Sequence, residues 1–179
     1  NRWERVVTAF DVIVAGQGVA PSVETAMDAI HNAYQADSSD EFILPTVVGD
    51  YTGMKPGDGV FMANFRSDRA REILTALADA NAYGDDHDGE YEELHTLMMD
   101  RDPPTEQQPV LSTVTGMVQY SDRHNEFMTS VFPPKDITNS LGEVVSKAGL
   151  TQLRAAETEK YPHVTFFFNG GREQPFAGE

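Results

Sequence analysis

The chain has 179 residues, of which 40% are hydrophobic and 23% charged, and this suits one domain or one domain with part of a second. Its 29 acidic and 13 basic residues give a net charge of −16, which argues against nucleic acid and against an anionic membrane surface as partners. The absence of cysteine excludes disulfides, thiolate metal ligands and a cysteine nucleophile.

Apolar residues recur at helical spacing in some segments and at strand spacing in others. In the first half this predicts, in chain order, a helix at 3–15, a helix from 21 to a break at 38–40, strands at 41–48 and 60–64, and a helix at 67–80. In the second half it predicts a helix at 92–99, strands at 110–120 and 129–132, a helix at 139–148 and a buried strand at 153–156. After a strand–helix junction at 157–163 it predicts a helix that includes Val164 and residues 166–168 and ends at Gly170 and Gly171. Strands that alternate with helices indicate an α/β fold with a mostly parallel sheet flanked by helices.

Three arginines, Arg66, Arg69 and Arg71, lie within six residues where the strand at 60–64 is expected to turn into a helix. Arg66 and Arg69 are one helical turn apart and project from nearly the same face. With the free N–H groups of a helix start, they can hold a carboxylate or phosphate at several points. Surface ion pairs with acidic neighbours explain the local pattern equally well. Ser67 or Asp68 is expected to cap this helix.

A second strand–helix junction at 157–163 carries Lys160. Ligands of open parallel sheets bind at the carboxyl ends of strands, so Lys160 is a third candidate cation, although its position alone also fits a solvated lysine. Glu159 and His163 are four residues apart, which allows metal ligation, but a capping or hydrogen-bonding role is the preferred interpretation. His87 among acidic neighbours is interpreted as part of a solvated loop. No convincing partner is found for His31, His95 or His124.

The strings at these two junctions resemble the cofactor-independent phosphoglycerate mutases. The string AETEKYPHVTFFFNGG at 156–171 resembles that family closely, and NFRSDRAR at 64–71 resembles its substrate-binding signature, with Ser67 where proline is usual. Weaker similarities run in the same order across nearly the whole chain, at NRWERV (1–6), DEFILP (40–45) and LGEVVSKAGL (141–150).

The resemblance implies two interleaved domains. One resembles alkaline phosphatase, binds two divalent metals, usually manganese, and supplies a serine that becomes phosphorylated. The other is inserted into it and grips the substrate. Residues 1–149 are then expected to be part of the substrate-binding phosphotransferase domain, with an acidic excursion at 84–106, and 150–179 the start of the phosphatase-like metal domain, with a strand and a helix.

By the same resemblance, Arg66 and Arg69 contact the phosphate or carboxylate of 2- or 3-phosphoglycerate, and Lys160 helps to hold the phosphoryl group. The chain lacks an initiator Met, and we expect it to be a fragment of a longer polypeptide. The nucleophile and the metal ligands are expected outside it, so the chain alone is expected to have no catalytic residue, no bound metal and no activity.

We expect the full-length protein to be a cytoplasmic, monomeric isomerase of glycolysis, without a membrane span. Two alternatives remain open. One is another enzyme of the alkaline phosphatase superfamily, a phosphomutase or a phosphohydrolase. The other is a non-enzymatic anion-binding module that uses the acidic excursion as its partner surface.

Overall fold

The computed structural model describes residues 2–83, 89, 91–101 and 109–179, and these residues form both helices and strands. The α-helices are α1 Trp3–Phe10, α2 Ala26–Gln35, α3 Ser67–Ala78, α4 Glu92–Met99 and α5 Leu141–Lys147. The strands are β1 Gly59–Met62, β2 Thr113–Val118 and β3 Thr129–Phe132. Short 3-10 helices occur at Asp40–Phe42, Ala80–Ala82, Arg123–Glu126 and Thr158–Lys160, and π-helices at Asp11–Ala15 and His163–Phe167.

The described residues form two compact units, Asn1–Pro133 and Pro134–Glu179. The first contains the sheet and α1 to α4, and the second contains α5 and the C-terminal helical turns. The predicted domain boundary after Gly149 stays a prediction. Within the described residues, no helix has both the length and the apolar content that crossing a membrane requires.

The sheet of the first unit has three strands in the order β1-β2-β3, and both pairings are parallel. Gly59 pairs with Thr113, and Thr115 pairs with Thr129. Because all three strands run in one direction, their carboxyl ends lie at the same edge of the sheet. This arrangement confirms the predicted α/β fold with a parallel sheet, and it places the start of α3 and the β2–β3 connection at that edge.

The core of the first unit lies between the sheet and the apolar faces of α1, α3 and α4. On α3, Ala70, Leu74 and Leu77 recur at helical spacing and are buried. The partners from the other elements are Trp3 and Phe10 of α1, Leu94 and Met98 of α4, and Val114 of β2. Burial of a large apolar side chain contributes about 1.5–3 kcal/mol, so these contacts hold α3 firmly against the sheet.

Two predictions for the N-terminal region are wrong, the strand at 41–48 and the start of the second helix. The segment 41–48 is not a strand: a 3-10 turn occupies its start, and only Val48 forms an isolated parallel bridge, with Val23. Pro45 has no N–H group to donate to a ladder, which disfavours a strand there. The second helix begins at Ala26 rather than at 21, because Thr25 and Asp28 form a capping box that fixes its start.

The predicted buried strand at 153–156 is also wrong. Within Pro134–Glu179, all of which the structure describes, no strand forms, and Leu153 is 89% exposed. A buried strand needs neighbouring strands for its backbone and apolar side chains, and this unit offers none. The helix predicted after the 157–163 junction is confirmed in part by the π-helix His163–Phe167, and Gly170 and Gly171, its predicted end, adopt positive φ.

Candidate functional site

The candidate anion site lies at the carboxyl end of β1, where the chain enters α3. The Asn64 side-chain oxygen accepts a hydrogen bond from the Arg66 backbone N–H at 2.9 Å, a short-range turn that leads into the helix. Arg66 itself is the N-cap residue and makes no side-chain cap bond. The prediction that Ser67 or Asp68 caps the helix is therefore wrong by one or two positions, since both belong to its first turn.

Arg66 forms an exposed ion pair within this turn. Its Nε atom lies 3.1 Å from Asp68 Oδ1, and the side chains are 77% and 49% exposed. Slight burial raises the pKa of Asp68, but the Arg69 backbone N–H and the Arg66 guanidinium outweigh it and hold that pKa below its usual value. Such exposed pairs contribute little to stability, so a bound anion can replace Asp68 at small cost.

Arg69 is the other cation of the site. Its side chain is exposed and has no ion pair or hydrogen bond among the residues that the structure describes. Successive helical residues are rotated by about 100°, so the side chains of Arg69 and Arg71, both within α3, lie roughly 160° apart around the helix axis. Arg71 therefore points to a different flank of α3 from Arg69, and Arg66 precedes the helix in an extended conformation.

Lys160 lies in the second unit, in the 3-10 turn Thr158–Lys160. Its Nζ atom is 3.6 Å from Glu159 Oε1, and both side chains are mostly exposed. His163, four residues from Glu159, packs its ring against Phe167 at 5.4 Å between centroids. Lys160 and the two arginines thus belong to different units.

The described residues do not fit a metal centre. Across 2–83, 89, 91–101 and 109–179, no group of three or more His, Asp or Glu side chains is placed to hold an ion. His87 and residues 84–88, 90 and 102–106 of the acidic excursion lie outside the described residues, and α4, within that segment, matches the predicted helix at 92–99.

Sequence reasoning missed the side chains that follow β2. Tyr120 is buried, and its hydroxyl donates to the carbonyl oxygens of Met62, at 3.3 Å, and Asn64. No partner was predicted for His124, yet this residue is only 3% exposed, and its Nδ1 atom is hydrogen-bonded to Ser121 Oγ at 2.7 Å. These residues directly follow the carboxyl end of a parallel strand, and that position was the available signal.

Two further contacts join this connection to α3. His124 Nε2 lies 3.3 Å from the Arg71 carbonyl oxygen, and burial lowers the pKa of the His124 imidazole. Arg123 pairs its Nε with the buried carboxylate of Asp79, the C-cap residue of α3, at 2.7 Å. Its guanidinium also stacks over the Tyr91 ring at 4.3 Å. The β2–β3 connection therefore contacts α3 along most of its length.

Comparison with known proteins gives a consistent result. Residues 1–122 match the family described as BPG-independent PGAM N-terminus. The chain is 51% identical over 179 residues to the 2,3-bisphosphoglycerate-independent phosphoglycerate mutase of Agrobacterium fabrum, and 49% identical to that of Ruegeria pomeroyi. These matches cover all of this chain but 31% and 32% of the relatives, so the chain spans about a third of their length.

The fold is also similar to a crystal structure of Leishmania mexicana phosphoglycerate mutase determined at low cobalt concentration. The TM-score is 0.55 at 23% identity, and the match covers 98% of this chain and 30% of that one. At this identity the likeness concerns the fold alone.

Proposed function

The chain belongs to the family of 2,3-bisphosphoglycerate-independent phosphoglycerate mutases, and we propose on this basis that it carries part of the substrate site of such an enzyme. The full-length protein then interconverts 2- and 3-phosphoglycerate through a phosphoserine intermediate. The observation that carries the proposal is the pair of exposed arginines, Arg66 and Arg69, three residues apart where the carboxyl end of β1 leads into α3.

The physical chemistry of the pair suits this role. Phosphoryl transfer depends mainly on positioning and on neutralisation of charge, and guanidinium groups bind phosphate and carboxylate oxygens in pairs. The net charge of −16 repels anions at long range, so the arginines must act at contact distance, well inside the screening length of about 8 Å. Arg69 has no partner among the described residues, and Arg66 has one that exchanges readily.

Lys160 is the third substrate contact of this proposal and helps to hold the phosphoryl group once the full-length protein is assembled. The two divalent ions, manganese in our proposal, and the serine nucleophile are assigned to the remainder of that protein, because the described residues do not fit a metal site. We further propose a monomeric, cytoplasmic enzyme of glycolysis.

The test is an assay of the full-length protein with 3-phosphoglycerate in the presence of manganese, beside the Agrobacterium fabrum enzyme as a positive control. Formation of 2-phosphoglycerate supports the proposal. Release of inorganic phosphate instead of an isomer identifies a phosphohydrolase. If neither product forms while the control is active, the mutase assignment is wrong, and a non-enzymatic anion-binding module becomes the better account.

A further inference from the structure

The loop between β1 and α3 sets the position of the Arg66 backbone. This loop is short: Met62 ends β1, and Arg66 already caps α3. Asn64 lies between them, and its side chain holds the Arg66 N–H. Any displacement of Asn64 therefore moves the first arginine of the anion site.

Tyr120 holds this loop from the neighbouring strand. Its hydroxyl donates to the carbonyl oxygens of Met62 and Asn64, which lie on either side of Ala63. Burial raises the pKa of the Tyr120 phenol, so the hydroxyl keeps the hydrogen that this contact requires at neutral pH. Two hydrogen bonds in series, Tyr120 to Asn64 and Asn64 to Arg66, thus connect β2 with the anion site.

The Tyr120 ring is tightly packed. It packs directly over Gly116 of β2, where an added Cβ would lie only 2.3 Å from a ring carbon. The ring is 5% exposed and has the His124 ring as a neighbour at 6.4 Å. A side chain packed in this way has one orientation, so its hydroxyl is a fixed support for the loop.

The rest of α3 is fixed by other contacts. His124 reaches the Arg71 carbonyl, and Arg123 pairs with Asp79 at the far end of the helix. The helix body is therefore held independently of Tyr120, and the effect of the Tyr120 hydroxyl is confined to the loop before Arg66.

We propose that Tyr120 is a positioning residue for the anion site: its hydroxyl fixes the Met62–Asn64 backbone and thereby directs the Arg66 guanidinium toward the bound phosphate or carboxylate. The inference rests on the proposed function. Small displacements of a positioning group have large kinetic effects, because anion recognition depends on aligned donors.

The test is Tyr120→Phe in the full-length protein, with Tyr83→Phe as a matched control. Tyr83 is also buried, and its hydroxyl also donates to a backbone carbonyl, that of Ala76 inside α3, but it does not touch the loop. We expect Tyr120→Phe to raise KM by about fivefold or more with kcat changed by less than about twofold. Tyr83→Phe is expected to leave both KM and kcat within about twofold of the wild-type values, while lowering Tm by about as much as Tyr120→Phe does.

A double-mutant cycle separates positioning from general destabilisation. In an Arg66→Ala background, Tyr120→Phe is expected to change KM by less than about twofold, because the group that it positions is gone. An unchanged KM in Tyr120→Phe, or the same rise with and without Arg66, overturns the inference while the mutase activity of the wild-type protein stands.

If the wild-type protein has no mutase activity, the proposed function is wrong, and calorimetric titration with 3-phosphoglycerate then decides this inference. A fivefold weaker affinity in Tyr120→Phe supports it. Equal affinity, or no binding by the wild-type protein, overturns it.

Discussion

Removal of the Arg69 guanidinium tests the anion site most directly. Arg69 is exposed and its side chain has no hydrogen bond or ion pair among the described residues, so Arg69→Ala removes no such interaction from the described fold and little unfolding is expected. A hydrogen bond to a charged group contributes about 1.5–3 kcal/mol. At about 1.4 kcal/mol for each factor of ten, we expect kcat/KM of the full-length protein to fall by roughly 10- to 100-fold.

The matched control is Arg71→Ala. It removes the same charge from the same helix, two residues further on, but the side chain points to the opposite flank of α3. Steady-state assays in both directions, with Tm as a check on folding, should show a large loss for Arg69→Ala and less than about a threefold loss for Arg71→Ala. Equal losses would mean that only the overall charge of the helix matters, and wild-type kinetics in Arg69→Ala would refute the anion site altogether.

Three further predictions concern the surroundings of the site. Arg66→Ala leaves Asp68 as an unpaired negative charge beside the substrate, so adding Asp68→Asn is expected to recover about threefold or more of the lost kcat/KM. Gly116→Ala places a methyl group against the Tyr120 ring and is expected to raise KM at least as much as Tyr120→Phe and to lower Tm as well. Because burial lowers the pKa of His124, the unfolded chain binds this proton more readily, and the free energy of unfolding is expected to fall as pH drops below about 6.5. His124→Gln should flatten that dependence in urea titrations.

Two of these predictions have a control variant, and all three can be refuted. Asp50→Asn, an exposed carboxylate outside the site, should not rescue Arg66→Ala. The control for the pH dependence is His31→Gln. His31 is exposed, so this change should leave the slope of the unfolding free energy against pH unchanged. A Gly116→Ala protein with wild-type KM would show that the Tyr120 ring moves aside without consequence for the loop. If the unfolding free energy of His124→Gln falls with pH as steeply as that of the wild type, other titratable groups cause the loss of stability in acid.

Local patterns predicted the elements whose structure depends on local interactions. The helix at 92–99 and the strand at 129–132 have the predicted bounds, and α3 ends two residues before its predicted end. Each combines clear apolar periodicity with turn residues on both sides. The arginine pair was proposed from the same kind of signal, since a strand end, a helix start and two charged residues are all adjacent in sequence, and its role in binding an anion stays a prediction.

The failures concern features that depend on distant partners. The segment 153–156 has the composition of a buried strand, but a strand also needs neighbours, and composition does not reveal whether they exist. Tyr120 lies 56 residues from Asn64 in sequence, so its contact arises only from the parallel pairing of β1 with β2. His124 depends on α3 in the same way, through a carbonyl that carries no sequence signal.

The Arg66–Asp68 ion pair sets a minimum affinity that an anion needs in order to bind Arg66. Asp68 is tethered two residues from Arg66, so it competes for the Nε edge of the guanidinium at a high effective concentration. A dilute ligand with a single carboxylate would form the same contact with Arg66 Nε that Asp68 already forms, so it has no advantage over Asp68. An anion that carries a phosphate and a carboxylate can displace Asp68 with one group while the other binds Arg69. If both arginines bind the substrate as proposed, the site is expected to favour anions with two charged groups over simple monocarboxylates.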